Sequence, residues 1–178
     1  AKAFAPEGSA LVINYRYSAE TAEELAEAVR ARGGRAVAVE ADVTDSRAVD
    51  AMFETAAAEF GAPVSTVVNN ALADFSFNGD ERQPADEIDY SDFADQFRGS
   101  VEGAVNTIQA AMHGFRELGS GRVINIGTNL FQNPVVPYHD YTAAKAALLS
   151  LTRTLAADLG PDGVTVNMVS GGLLRTTD

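Results

Sequence analysis

The chain has 178 residues, 46% of them hydrophobic and 21% charged, with a net charge of −12 and no cysteine. That length suits one domain with its own core. The acidity argues against nucleic acid and anionic membranes as partners, and the lack of cysteine excludes disulfides and thiolate metal sites and fits a reducing cytoplasm. No apolar run approaches the roughly 20 residues needed to span a bilayer, and no charged-then-apolar leader is present. No metal site is expected. A phosphate-bearing ligand would have to be met locally, by helix N-termini or single arginines.

In chain order, apolar strands alternate with amphipathic helices. Ala10 to Tyr15 is short, β-branched and apolar, and reads as a buried strand. Ser18 is placed to cap a helix from Ala19 to Arg32, which Gly33 and Gly34 stop. Arg35 to Ala41 is the next strand, and Asp45 opens a helix through Phe60, closed by Gly61. Ser65 to Asn69 is a third strand, followed by a polar loop with Phe75, Phe77 and Gly79. A long helix is predicted from Asp89 to Leu118, ended by Gly119, and then a strand from Arg122 to Ile126. A helix from Asp140 to Leu159 and a strand from Val164 to Val169 complete the pattern. Strands each followed by a helix imply an α/β fold with a parallel sheet covered on both faces. In such sheets ligands bind beyond the carboxyl ends of the strands.

Those ends carry polar residues. Arg16 follows the first strand, where an acidic residue would bind ribose hydroxyls and an arginine would accommodate a 2′-phosphate; an ordinary solvated arginine is the alternative. Asp42 and Val43 follow the second strand. The Asp42 carboxylate could accept from an adenine amino group or simply serve a turn. Asn69, Asn70 and Ala71 follow the third, where small and amide side chains let backbone approach a ligand.

Tyr141 and Lys145 are four apart, so on a helix they share a face. An ammonium near a phenol favours the phenolate and would draw the tyrosine's pKa toward neutrality. Such a tyrosine can give a proton to a ketone oxygen, or take one in reverse. Thr128 lies just beyond the preceding strand, where its hydroxyl could bond a substrate carbonyl. Tyr138 has Thr142 four residues on, which supplies no charge. His113 and His139 have no acidic or histidine partner at ligand spacing and read as structural or surface residues. The acids between Asp80 and Asp95 read as a solvated loop and helix start. Phe75 and Phe77 line either a substrate entrance or their own loop.

These segments together (NYR, ADVTD, VVNNA, GRVINIGT, YTAAK and VTVNMVSGGLLRT) resemble the short-chain dehydrogenase/reductase family, most of all its 3-oxoacyl-[acyl-carrier-protein] reductase group of fatty acid biosynthesis. The resemblance spans essentially the whole chain. It implies a Rossmann-type doubly wound parallel sheet in a single domain over residues 1–178. It implies an NADP(H)-preferring, cytoplasmic oxidoreductase interconverting a ketone or 3-oxoacyl thioester and the hydroxy compound. Tyr141 would be the acid/base, Lys145 would bond the nicotinamide ribose and lower the tyrosine's pKa, and Thr128 would stand for the family's serine. Asp42 and Val43 match the adenine pocket, and Asn69 and Ala71 the stretch lining the cofactor's ribose. Gly172, Leu174 and Thr176 fall in the segment that meets the nicotinamide end, with Thr176 placed for the carboxamide or pyrophosphate. The family commonly assembles as homotetramers through helices equivalent to those at Asp89–Leu118 and Asp140–Leu159.

The chain departs from the family pattern in several places. The glycine-rich turn is absent, and Ala1 to Glu7 matches the tail of the helix that follows it. A central strand between those at Ala10 and Ser65 is therefore expected to be missing, making the domain incomplete, and at the other end the chain stops within the substrate-covering loop. Ser100 stands where the family has a proton-relaying asparagine; being shorter, it would need a water to fill the gap. Thr128 replaces serine, Leu72 a glycine, and Gly171-Gly172 a proline-glycine pair. Ser100, Thr128 and Leu72 motivate a second reading, a catalytically weakened member that binds nucleotide and senses. The missing strand motivates a third, an inert fragment.

Overall fold

The computed structural model describes residues 1–72, 75 and 77–172. The order of elements is β1 (Ala10–Tyr15), α1 (Ala19–Arg30), β2 (Arg35–Glu40), α2 (Ser46–Phe60), β3 (Thr66–Asn69), α3 (Tyr90–Phe97), α4 (Gly103–Leu118), β4 (Gly121–Thr128), α5 (His139–Leu159) and β5 (Val164–Gly171). All strand pairs are parallel: β1 with β2, β3 with β4, and β4 with β5. The chain divides into two compact units, Ala1–Val64 and Ser65–Asp178.

In the first unit, α1 lays Ala26 and Val29 against Ala36 of β2, with Leu11 and Ile13 of β1 and Ala5 closing the cluster. The expectation of a buried first strand is corrected: every residue of β1 is only half-buried. Among the described residues, β1 pairs along one edge, with β2, so its apolar residues are only partly covered. Ser18 does not cap α1 through its side chain. Asp45 does cap α2, its carboxylate accepting from the N–H groups of Arg47 and Ala48. Gly61 ends α2 in the left-handed conformation at φ 69°, which a residue without Cβ adopts freely. Ala5–Glu7 forms one 3₁₀ turn, not the tail of an α-helix. Pro6 explains this, since it has no N–H to donate to a helical ladder.

In the second unit, β4 alternates. Gly121, Val123, Asn125 and Gly127 are buried, while Arg122 is exposed and Ile124 and Ile126 are half-buried. Helices α4 and α5 cover the buried face: an added Cβ on Gly121 would meet the Phe115 ring of α4, and Asn125 bonds Thr152 of α5. The long helix expected from Asp89 to Leu118 is present but changes character, with a π-helical segment, Arg98–Glu102, between α3 and α4. Asp89 N–H donates to Asp92 Oδ2 at the start of α3 (2.9 Å), and Gly119 ends α4 at φ 64°. Among the described residues, β3 pairs only with β4, and no helix is long and apolar enough to cross a membrane.

Candidate active site

Thr128 is the last residue of β4, and Tyr141 and Lys145 occupy the first two turns of α5. All three side chains are buried, Lys145 to 2% exposure. The four-residue spacing places Tyr141 and Lys145 on one helix face, as the sequence implies, with Lys145 Nζ 5.8 Å from the centre of the Tyr141 ring. Lys145 Nζ donates to the Ile126 carbonyl at 2.8 Å, so the ammonium is tied to β4 two residues before Thr128. Thr128 in turn accepts from Leu130 N–H at 3.2 Å.

The electrostatics differ from the sequence expectation. Burial raises the Tyr141 phenol above its ordinary value, and a hydrogen bond with the Thr128 hydroxyl offsets this only in part. The drop toward neutrality expected from Lys145 is therefore corrected. Burial also pushes Lys145 down, to about 8. Desolvation disfavours whichever form is charged, and it dominates at both groups because both are largely buried.

Ser100 lies in the π-helical segment, buried at 4%, and its Oγ has no hydrogen-bond partner among the described residues. π-Segments open the helical ladder and recur at functional sites.

Around Tyr141 stand three further rings. Phe75 stacks on it, with centroids 4.5 Å apart and planes 18° apart, and Phe77 meets it edge-on at 5.6 Å. Tyr138, which precedes α5, completes the group.

Sequence reasoning missed a polar chain that braces these elements. Thr107 of α4 donates to Asn69 Oδ1 at 2.7 Å. Asn69 Nδ2 donates to Asn125 Oδ1 at 2.9 Å, and Asn125 Nδ2 donates to Thr152 Oγ1 of α5 at 2.9 Å. The two asparagines are register partners across β3 and β4. The available signal was an asparagine inside the apolar run Val123 to Ile126, since a buried polar side chain needs a partner. Asn69, expected near a cofactor ribose, has its amide engaged in this chain. Ala71 is exposed just beyond it.

In the first unit the structure brings together two expected cofactor residues. Arg16 Nε pairs with Asp42 Oδ2 at 3.0 Å, beyond the adjacent ends of β1 and β2. Asp42 Oδ1 also accepts from the N–H and hydroxyl of Thr44, at 2.9 and 2.8 Å. The Thr44 backbone bond is the main cause holding the Asp42 carboxyl below its usual range; the Thr44 hydroxyl and Arg16 add to it, and burial opposes it. The turn role considered for Asp42 is therefore present alongside the ion pair. Val43 follows, half-buried. Asn14, also missed, donates from β1 to the Ala41 carbonyl at 2.8 Å and fastens these strand ends.

Gly172 adjoins the Asn129 side chain, where an added Cβ would come within 3.3 Å of Nδ2. Leu174 and Thr176 lie outside the described residues.

Comparison with known proteins gives the family. The family model for short chain dehydrogenases matches residues 1–178. The chain is 31% identical over 177 residues to glucose 1-dehydrogenase 2 of Bacillus subtilis, covering 99% of this chain and 66% of that protein. It is 34% identical over 178 residues to a short-chain type dehydrogenase/reductase of Picea abies, covering 97% of this chain and 64% of that one. The crystal structure of a dehydrogenase/reductase from Sinorhizobium meliloti 1021 superposes with a TM-score of 0.85 at 35% identity, covering 98% of this chain and 66% of that one. The chain thus spans slightly less than two thirds of the length of these relatives. These names reach across the family and do not single out the 3-oxoacyl-[acyl-carrier-protein] reductase group. With α/β architecture, parallel strands and a match along its whole length, the chain belongs to the short chain dehydrogenase family.

Proposed function

We propose that this chain contributes the proton-transfer centre of an NADP(H)-dependent oxidoreductase that reduces a ketone or 3-oxoacyl thioester to the hydroxy compound, or runs the reverse. The observation that carries the reading is the buried group of Tyr141, Lys145 and Thr128 at the junction of β4 and α5. The residues fit a nicotinamide dinucleotide. An ammonium has three donors, of which the Ile126 carbonyl takes one, and a ribose hydroxyl suits the remainder. The Arg16 guanidinium, oriented by Asp42 and 40% exposed, suits a 2′-phosphate, which favours NADP(H) over NAD(H). Asp42 and Val43 would flank the adenine, Asn69 and Ala71 the ribose, and Gly172, Leu174 and Thr176 the nicotinamide end.

The nicotinamide, when bound, supplies or accepts the hydride. The chain's residues handle the oxygen. Thr128 and Tyr141 hold the substrate oxygen between their hydroxyls, and Tyr141 gives it a proton. A phenol whose pKa is raised is protonated at neutral pH, which suits the reducing direction. Lys145, charged below about pH 8, stabilises the phenolate left behind. Ser100 would join the relay that returns the proton, through its uncommitted hydroxyl.

Assembly belongs to the same proposal. Tyr90, 84% exposed, and Phe97 flank a cavity of about 700 Å³ lined by Phe93 of α3, Val101 of the π-helical segment and Ala143 of α5. We assign this face to a homo-oligomer, a tetramer by family resemblance, and place the protein in the cytoplasm.

The test is Tyr141→Phe. It should abolish NADPH-dependent ketone reduction while leaving NADPH binding, followed by nicotinamide fluorescence, unchanged. Substantial residual turnover would remove Tyr141 from this role. The alternative of a nucleotide-binding sensor rests on Ser100, Thr128 and Leu72, which stand where the family pattern has other residues. It predicts tight NADPH binding with no turnover across a ketone panel.

A further inference from the structure

The four rings of Phe75, Phe77, Tyr138 and Tyr141 form a closed set in which every ring contacts the other three. Five of the contacts are edge-to-face. The exception is Phe75 on Tyr141, which is stacked. Edge-to-face and offset-stacked pairs are the arrangements the ring quadrupole favours. The set is anchored from two sides. Tyr138 is buried at 7%, and its carbonyl accepts from the Thr142 hydroxyl at 2.6 Å. Gly79 lies against it, so close that an added Cβ would lie 3.4 Å from Val136 and 3.7 Å from the Tyr138 hydroxyl.

The placement of Tyr141 gives the set a consequence for substrate choice. The Tyr141 hydroxyl end engages Thr128, while its ring lies against Phe75 and Phe77. A carbonyl held at the two hydroxyls must run its substituents past that ring group. Phe75 and Phe77 are only half-buried, so both retain surface for a ligand. A flat apolar ring would extend the aromatic set and gain contact geometry. A flexible alkyl chain would pay more conformational entropy for a poorer fit.

We propose that Phe75, aided by Phe77, is a specificity-determining residue that selects a planar, ring-bearing ketone or its alcohol over an open-chain one. The inference rests on the oxidoreductase reading above and narrows its substrate class. The contrasting account is that the rings only pack their own loop. Under that account, changing Phe75 alters stability and leaves the choice of substrate untouched.

The experiment compares α-tetralone with methyl octyl ketone, which has the same carbon count, in the NADPH-loaded enzyme. The wild type should favour α-tetralone in kcat/KM, and Phe75→Ala should reduce that preference about three- to tenfold. Phe75→Leu keeps apolar volume without the ring and serves if the alanine variant does not fold; it too should lose the preference. Absence of preference in the wild type, or an unchanged ratio in a folded variant, overturns the proposal. If neither ketone is turned over, the oxidoreductase reading fails, and equilibrium dialysis of α-tetralone decides the inference separately. Binding that weakens in the variant supports the aromatic site; no binding to the wild type, or binding equal in the variant, overturns it.

Discussion

Thr128 ends β4 and hydrogen-bonds Tyr141 in the first turn of α5, so two hydroxyls from separate elements meet at one buried point. Replacing Thr128 with Val removes one hydroxyl while keeping the branched shape. We expect kcat/KM for ketone reduction to fall about 100-fold, in line with loss of a group that holds the reacting oxygen. Thr128→Ser should restore most of it. Steady-state kinetics of both variants check this; equal activity of the Val variant would remove Thr128 from the site.

Lys145 gives a pH prediction of definite sign. Its pKa is lowered from 10.5 to about 8 by burial. Between those values the unfolded chain binds more protons at this position than the folded chain does, so stability rises with pH across pH 8 to 10.5. The full effect is on the order of 3 kcal/mol, at 1.36 kcal/mol per pKa unit. Urea unfolding of wild type and Lys145→Met at pH 7.5 and 10 isolates it: the wild type should gain relative to the variant. Reductase activity should move the other way, falling above about pH 8 as the ammonium loses its charge.

The polar chain from Thr107 to Thr152 passes through Asn125, which is fully buried. Asn125→Ala takes the acceptor from half-buried Asn69 Nδ2 and one donor from Thr152 Oγ1, which keeps its bond to the Leu148 carbonyl. A buried group deprived of its partner costs about 1–3 kcal/mol, so a loss of about 1–3 kcal/mol is expected in chemical denaturation. Thr152→Val removes the bonds to Asn125 Nδ2 and the Leu148 carbonyl but leaves the Asn69–Asn125 link in place, so it should cost less.

An added Cβ at Gly121 would fall 2.4 Å from the Phe115 ring, itself fully buried. Overpacking of this kind costs typically about 1–3 kcal/mol. Gly121→Ala should lower the melting temperature, and Gly121→Ala with Phe115→Leu should recover part of the loss.

Arg16 and Asp42 form a pair at 3.0 Å, so either substitution disturbs both. Arg16→Asp should shift the kcat/KM ratio of NADPH to NADH toward NADH by about tenfold or more, as loss of a charge-assisted phosphate contact implies. Asp42→Asn removes the charge partner that orients Arg16 but keeps the guanidinium, so it should lower the NADPH preference by less than Arg16→Asp does. An unchanged ratio in Arg16→Asp would exclude it as the phosphate reader.

The order of strands and helices was legible in the sequence because apolar periodicity and helix-ending glycines are local signals. Gly61 and Gly119 sit where the chain turns left-handed, as read. The Tyr141–Lys145 pair was legible for the same reason, since a four-residue helical spacing is decided by the helix alone. What the sequence could not decide were the energies set by neighbours distant in the chain. Burial turned the expected fall of the Tyr141 pKa into a rise, because loss of water outweighs the hydrogen bond from Thr128. Pairing across 56 residues joined Asn69 to Asn125, and Phe75 stacks on Tyr141, a residue distant in the chain. Spacing along the chain carries what one element does by itself. Desolvation, register and ring contact exist only once separate elements share a volume from which water has been excluded.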